Sequence, residues 1–182
     1  MQLNKYKGYH GTNENCVTSI MGEGFKIKSY SFNRAQLEQV PGDLGAGAYF
    51  YHESSENAFN FALKENKKES IRVLECDIEV DETKILDLND QSNSEIFKQI
   101  MSNDQSLNTL KRRYVKGIGG KGRDCLDGVI IESLIHKLGQ DVHLVIKDTY
   151  TPFKEKPRLS NFFNGTELCV KNKGIIKTIN II

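Results

Sequence analysis

Tryptophan is missing from this 182-residue chain, and its four cysteines, Cys16, Cys76, Cys125 and Cys169, stand far apart. No C-x-x-C or His–Cys spacing links them, which argues against a zinc or other metal site. Thiols so dispersed read as reduced, mostly buried groups of a cytoplasmic protein. No apolar run nears the roughly 20 residues that a membrane-crossing helix needs. Residues Met1–Lys7 lack the apolar core of an export signal, and no membrane partner is expected. Net charge is nearly absent too. Lys and Arg number 25 against 24 Asp and Glu, a formal +1, so no whole-molecule field selects nucleic acid or membrane. Internal repeats and low-complexity tracts are lacking. With 38% hydrophobic and 27% charged residues, the chain reads as one polar-surfaced domain over residues 1–182, large enough for a continuous core.

The pattern predicts α+β. Lys7–His10 belong to a first strand, and Thr12 or Asn13 caps a helix that Gly22 and Gly24 end. Residues 28–44 are polar and carry the turn signal Pro41-Gly42-Asp43, a loop placed over a cleft. Ala48–Tyr51 form a strand, and Ser54 or Ser55 caps a helix over residues 56–65. Residues 71–80 alternate apolar and polar, the mark of a half-buried strand. Lys84–Leu88 is a short strand or turn, and Ser94–Met101 and Leu107–Val115 are helical. Gly117–Gly122 is a flexible break. Leu126–Glu132 and His143–Lys147 read as strands, with Ser133–His136 turning between them. Residues 152–164 form a loop before a closing strand pair, Glu167–Val170 and Ile175–Ile182. Antiparallel strands with helices in the first half and at mid-chain make α+β the class.

Two glycine-bearing motifs carry chemistry. Tyr9-His10-Gly11-Thr12 sets an imidazole beside bare backbone, which a flat ligand can approach because glycine lacks a Cβ. Gly45-Ala46-Gly47-Ala48-Tyr49-Phe50 sets an aromatic ring where it can lie over such a ligand, a contact worth about 0.5–1.5 kcal/mol beyond area burial. An amide-bearing ring such as nicotinamide uses both.

At these residues the chain resembles the diphtheria-toxin-like and poly(ADP-ribose)-polymerase-like ADP-ribosyltransferases, which use a His-Tyr-Glu triad on three separate strands. The resemblance implies a split antiparallel sheet with flanking helices, NAD as co-substrate and no metal. Glu167-Leu168-Cys169-Val170-Lys171-Asn172 is similar to the family's glutamate strand, and a competing alignment puts His143 at that third site. By resemblance Glu167 bonds the 2′-hydroxyl of the nicotinamide ribose and His10 the adenosine ribose. Gly11 pairs with the nicotinamide amide, Thr12 adjoins the cofactor and Tyr49 stacks on the ring. Asn57 stands where many relatives have a serine touching the amide. Phe59, Asn60 and Phe61 compete to cover the second ring face, with Phe61 favoured.

Gly165, two residues before Glu167, departs from the Glu-x-Glu of arginine-modifying relatives. Phe162 and Phe163 occupy the acceptor-loop position. The basic run Lys111-Arg112-Arg113-Tyr114, continuing through Lys116 to Lys121 and Arg123, can hold phosphates with Tyr114 as a stacking face. The expected function is therefore mono-ADP-ribosylation of a macromolecular acceptor, RNA, DNA or protein. By analogy it belongs to a toxin or phage-defence effector with a possible antitoxin partner. No extra domain for polymer extension is evident. An NAD glycohydrolase using water, and a silent ADP-ribose- or nucleic-acid-binding module, are the rival readings.

Overall fold

The computed structural model describes residues 2–27, 29–30, 41–103, 126–153 and 162–182. In chain order its elements are β1 (Leu3–Asn13), α1 (Glu14–Glu23), β2 (Ala48–His52), α2 (Ser55–Ala62), β3 (Ile71–Asp81) and β4 (Ile85–Asp87). There follow α3 (Gln91–Asn103), α4 (Leu126–Leu138), β5 (Leu144–Thr149), β6 (Gly165–Val170) and β7 (Ile176–Ile181). The class is α+β, as expected. One seven-stranded sheet runs β4-β5-β6-β2-β1-β3-β7. Its pairs are antiparallel apart from β4 and β5, which run parallel.

Local chemistry sets the element ends. Asn13 caps α1, its side chain accepting from Cys16 N, and Ser54 caps α2 by accepting from Asn57 N. Each supplies an acceptor for an otherwise orphaned first-turn N–H. Gly24, at φ 76°, ends α1 and donates its N–H to Ile20 O. From Leu74 to Asp81 along β3, burial follows a period of two.

The stretch 126–132, expected as a strand, is instead the first half of α4. A short β-branched run does not distinguish a strand from a buried helix. Two constraints favour helix. Parallel β4 and β5 need a long crossover, usually helical. Helical spacing also buries Val129, Ile130, Ile131 and Leu134 together. Helix α4 packs so closely on the turn at residues 42–45 that a Cβ on Gly128 would lie 1.9 Å from Gly42 O. The predicted helix 107–115, the break at 117–122, Cys125 and most of the loop at 28–44 lie outside the described residues.

The sheet cannot be flat. Strands β3 and β4 stand five places apart in the strand order, about 24 Å across a flat sheet at 4.8 Å per strand. Only residues 82–84 join them, a reach of about 14 Å. The sheet therefore folds over, and one face from each half meets in a shared core. Leu74, Cys76 and Ile78 of β3 belong to it with Leu144, Ile146 and Leu168 of β5 and β6. Phe25 and Phe50 pack in the same core. The other face carries two smaller cores. One forms beneath α3 and α4 around Leu44, Leu86 and Ile131; the other forms beneath α2 around Tyr51, Ala58 and Phe153.

The fold-over weakens one joint. Strand β1 pairs with β3 along its whole length, yet with β2 through only two register pairs, Gly8–His52 and Tyr9–Tyr51. Beyond Tyr9 the strands part. Helix α2 lies over this parting, where a Cβ on Gly11 would sit 2.0 Å from Ala58 O. Gly11→Ala should thus cost about 1–3 kcal/mol through overpacking. Gly22→Ala in α1, where a Cβ meets nothing within 4 Å, should stabilise by up to about 1 kcal/mol. Urea denaturation checks both signs, and equal effects at the two glycines would contradict this packing.

Candidate functional site

The parting of β1 and β2 is a cleft. Its inner part, about 50 Å³, is lined by Tyr9, His10, Gly11, Tyr49, Phe50, Tyr51, Ala58, Phe61 and Glu167. An outer groove of about 640 Å³ shares His10, Tyr49 and Phe61 with it and extends past Thr12, Cys16, Ser19, Phe25 and Lys26. His10, Tyr49 and Glu167, distant in sequence, thus face one cavity. Among the other expected residues, Gly11 and Phe61 line the inner part and Thr12 the outer.

Gly11 presents its backbone to the cleft by strand alternation. Lys7 O accepts from Glu53 N on the β2 side. Peptide groups two and four residues on point the same way, and at Gly11 strand β2 has already turned away. Its N–H and C=O therefore border the cleft, while its missing Cβ seats α2.

His10 spans the gap. Its Nδ1 lies 2.8 Å from Tyr49 O. A carbonyl only accepts, so Nδ1 carries the proton and donates, which leaves Nε2 of the neutral ring as an acceptor. Phe25 and Phe50 pack on the ring at centroid distances of 5.1 and 5.8 Å. Burial in this apolar setting lowers the His10 pKa from 6.5, partly offset by the bond to Tyr49 O.

Tyr49 projects beneath the turn at 42–45. Its hydroxyl donates to Gly45 O at 2.7 Å and accepts from Leu44 N at 2.9 Å. Burial raises its pKa well above the ordinary 10, so it stays a phenol. Behind it, burial pushes the Cys169 thiol up to about 12.

Glu167 is a carboxylate only 3% exposed. Burying it requires partners. Thr149 Oγ1 and Thr151 Oγ1 each donate to its Oε1 at 2.9 Å. The Tyr51 hydroxyl lies 2.9 Å from Thr151 Oγ1 and 3.3 Å from Glu167 Oε1. Tyr51 faces Glu167 directly across the β2–β6 ladder. Asn164 holds the threonines. Its side chain bonds both Thr151 N and Thr151 O at 2.8 Å, and its N–H donates to Thr149 O. Tyr51, Thr149, Thr151 and Asn164 were not anticipated. Tyr51 was within reach, because a residue two beyond Tyr49 shares its sheet face.

Other expected positions behave differently. Asn57 does not line the cleft; its Nδ2 donates to Asn164 O at 2.7 Å. Of the three ring candidates Phe61 reaches the cavity, with Lys64 Nζ 5.0 Å from its ring centroid, and Phe59 packs against the core. His143 precedes the Leu144–Val170 end of the β5–β6 ladder, whereas Glu167 sits near the other end, opposite Lys147. His143 bonds Asp141 and Asn172 there. Phe162 and Phe163 are 86% and 69% exposed, next to the anchored Asn164. Cys76 and Cys169 are buried but Cys16, on the groove, is exposed. Lys111, Arg112 and Arg113 lie outside the described residues. Among the described residues no group of His, Cys, Asp or Glu is arranged to hold a metal, and no helix is long and apolar enough to cross a membrane.

No family model, curated protein or solved structure matches this chain.

The lowered His10 pKa carries a sign. Between 6.5 and the folded-state value the unfolded chain holds a proton on His10 that the folded chain does not. Stability is therefore complete above pH 6.5 and falls as pH drops through this window. In an NMR titration His10 should protonate below 6.5, with denaturation midpoints falling over the same range. A His10 titrating at or above 6.5 would contradict the burial.

Proposed function

We propose that this chain is an NAD-dependent mono-ADP-ribosyltransferase, with a split α+β sheet like that of the His-Tyr-Glu transferases it resembles. One observation carries the reading: a buried, hydroxyl-held carboxylate at 167 borders the same cleft as His10, the Gly11 backbone and Tyr49. Nicotinamide enters the inner cavity with its amide on Gly11 and its ring against Tyr49, and Phe61 borders the opening. The adenosine half follows the outer groove, where Nε2 of neutral His10 accepts from a ribose hydroxyl.

The chemistry follows from charge. Breaking the bond between ribose C1′ and the nicotinamide nitrogen expels a neutral base and leaves a cationic, oxocarbenium-like sugar. A fixed negative charge beside that sugar stabilises the transition state more than the ground state. Glu167 supplies the charge and accepts from the ribose 2′-hydroxyl. The threonine donors keep the carboxylate oriented, so little reorganisation is needed during reaction. An acceptor nucleophile then bonds to C1′ and releases its proton.

The acceptor is a macromolecule, nucleic acid or protein, docking beside Phe162 and Phe163. The setting is a cytoplasmic toxin or defence effector, with an antitoxin as its natural partner.

Adenylate-labelled NAD incubated with lysate, then split among protease, RNase and DNase digests, should leave label sensitive to one of the three. Glu167→Gln should retain NAD binding and lose about a hundredfold or more in turnover. Tyr49→Ala should instead weaken binding by about 1 kcal/mol. Equal turnover of Glu167→Gln and the parent protein would refute the assignment. Nicotinamide release without acceptor labelling would make the chain a glycohydrolase.

A further inference from the structure

We propose that the buried Glu132–Lys171 ion pair is a clasp that positions Tyr49, and so sets affinity for the nicotinamide ring, an inference resting on the NAD reading above. Neither side chain borders the inner cavity or the outer groove, so both are positioning residues rather than catalytic ones. Their side chains are only 12% and 11% exposed, with Lys171 Nζ 2.5 Å from Glu132 Oε1.

The pair grips the main chain of one residue from both sides. Ala46 N donates to Glu132 Oε1 at 2.6 Å, and Lys171 Nζ donates to Ala46 O at 3.1 Å. Ala46 is thereby held between α4 and the end of β6. The preceding residue, Gly45, has φ 94°. A Cβ there would lie 2.3 Å from Glu132 Oε1 and 2.7 Å from Lys171 Nζ. Only glycine fits a backbone gripped so closely. Gly45 O is the acceptor for the Tyr49 hydroxyl, so the clasp fixes the atom that fixes the ring.

Stability alone does not account for the pair. A buried ion pair costs desolvation that often cancels its attraction, and apolar replacements are commonly as stable. A carboxylate and an ammonium that satisfy both main-chain polar groups of one residue, Ala46, instead specify where it sits. Because Tyr49 lines both parts of the cleft, displacing Gly45 O shifts the cleft wall.

Two readouts test this: KM and kcat for NAD, and the Tyr49 ring resonance in 13C-tyrosine-labelled protein, assigned with Tyr49→Phe. Lys171→Met should raise KM about tenfold with a smaller change in kcat, and should shift or broaden the Tyr49 resonance while leaving that of Tyr6 in place. Lys171→Arg, which keeps the cation, should restore both. The double variant Glu132→Gln/Lys171→Met leaves no lone buried charge, and should show the same KM rise even if Lys171→Met fails to fold. A folded variant without the pair, with unchanged KM and Tyr49 resonance, overturns the clasp. If the parent protein neither binds nor consumes NAD, the functional reading falls, and the Tyr49 resonance alone then decides the clasp.

Discussion

The two-pair ladder between β1 and β2 is the constraint from which the rest follows. Joining β3 to β4 through residues 82–84 forces the sheet to fold, and the fold-over is accommodated where β1 and β2 part beyond Tyr9. A parted pair of strands leaves main-chain donors and acceptors without a ladder partner. The chain manages the exposed edges with His10, whose Nδ1–H donates to Tyr49 O across the opening, and with α2 laid over Gly11. Among the described residues no strand pairs with the remaining edge of β1 at Gly11, which suits a ligand that can donate and accept at once. A primary carboxamide has that pairing pattern.

Charge is distributed around this opening by burial. His10 is neutral because its surroundings are apolar, and Tyr49 is a phenol for the same reason. Glu167 stands apart as a buried carboxylate ringed by hydroxyl donors. A wall of neutral hydrogen-bonding groups around one buried carboxyl suits a ligand whose positive charge passes from the stacked ring to the sugar as it reacts. That pairing of site and reaction, more than any single motif, favours glycosidic cleavage of a pyridinium nucleotide over passive binding.

Much of the frame was legible in the sequence because it depends on local rules. The alternation along much of 71–80 and the caps Asn13 and Ser54 arise from spacing and short-range hydrogen bonds. Placing His10, Tyr49 and Glu167 together needed the resemblance to supply long-range order, since nothing local says that β2 lies between β1 and β6. What stayed hidden was set by tertiary contact. Helix α4 looked like a strand because its β-branched run is ambiguous until the parallel β4–β5 crossover is known. Asn57 looked like a ligand contact, but its amide is engaged by Asn164 O, 107 residues away in sequence. Thr149, Thr151 and Asn164 form the carboxylate's setting through a loop whose course the sequence does not reveal. The glycines of the second motif were read only as flanking the stacking ring of Tyr49. Gly45 and Gly47 also make room for the Glu132–Lys171 pair and for Cys169 and Val170.

A crystal structure of the Glu167→Gln protein soaked with NAD tests the central claim most directly. The account predicts nicotinamide in the inner cavity, its amide on the Gly11 N–H and C=O, its ring against Tyr49, and its ribose 2′-hydroxyl within hydrogen-bond distance of residue 167. A dinucleotide bound away from the β1–β2 parting, or a cleft that stays empty at saturating NAD, would contradict it.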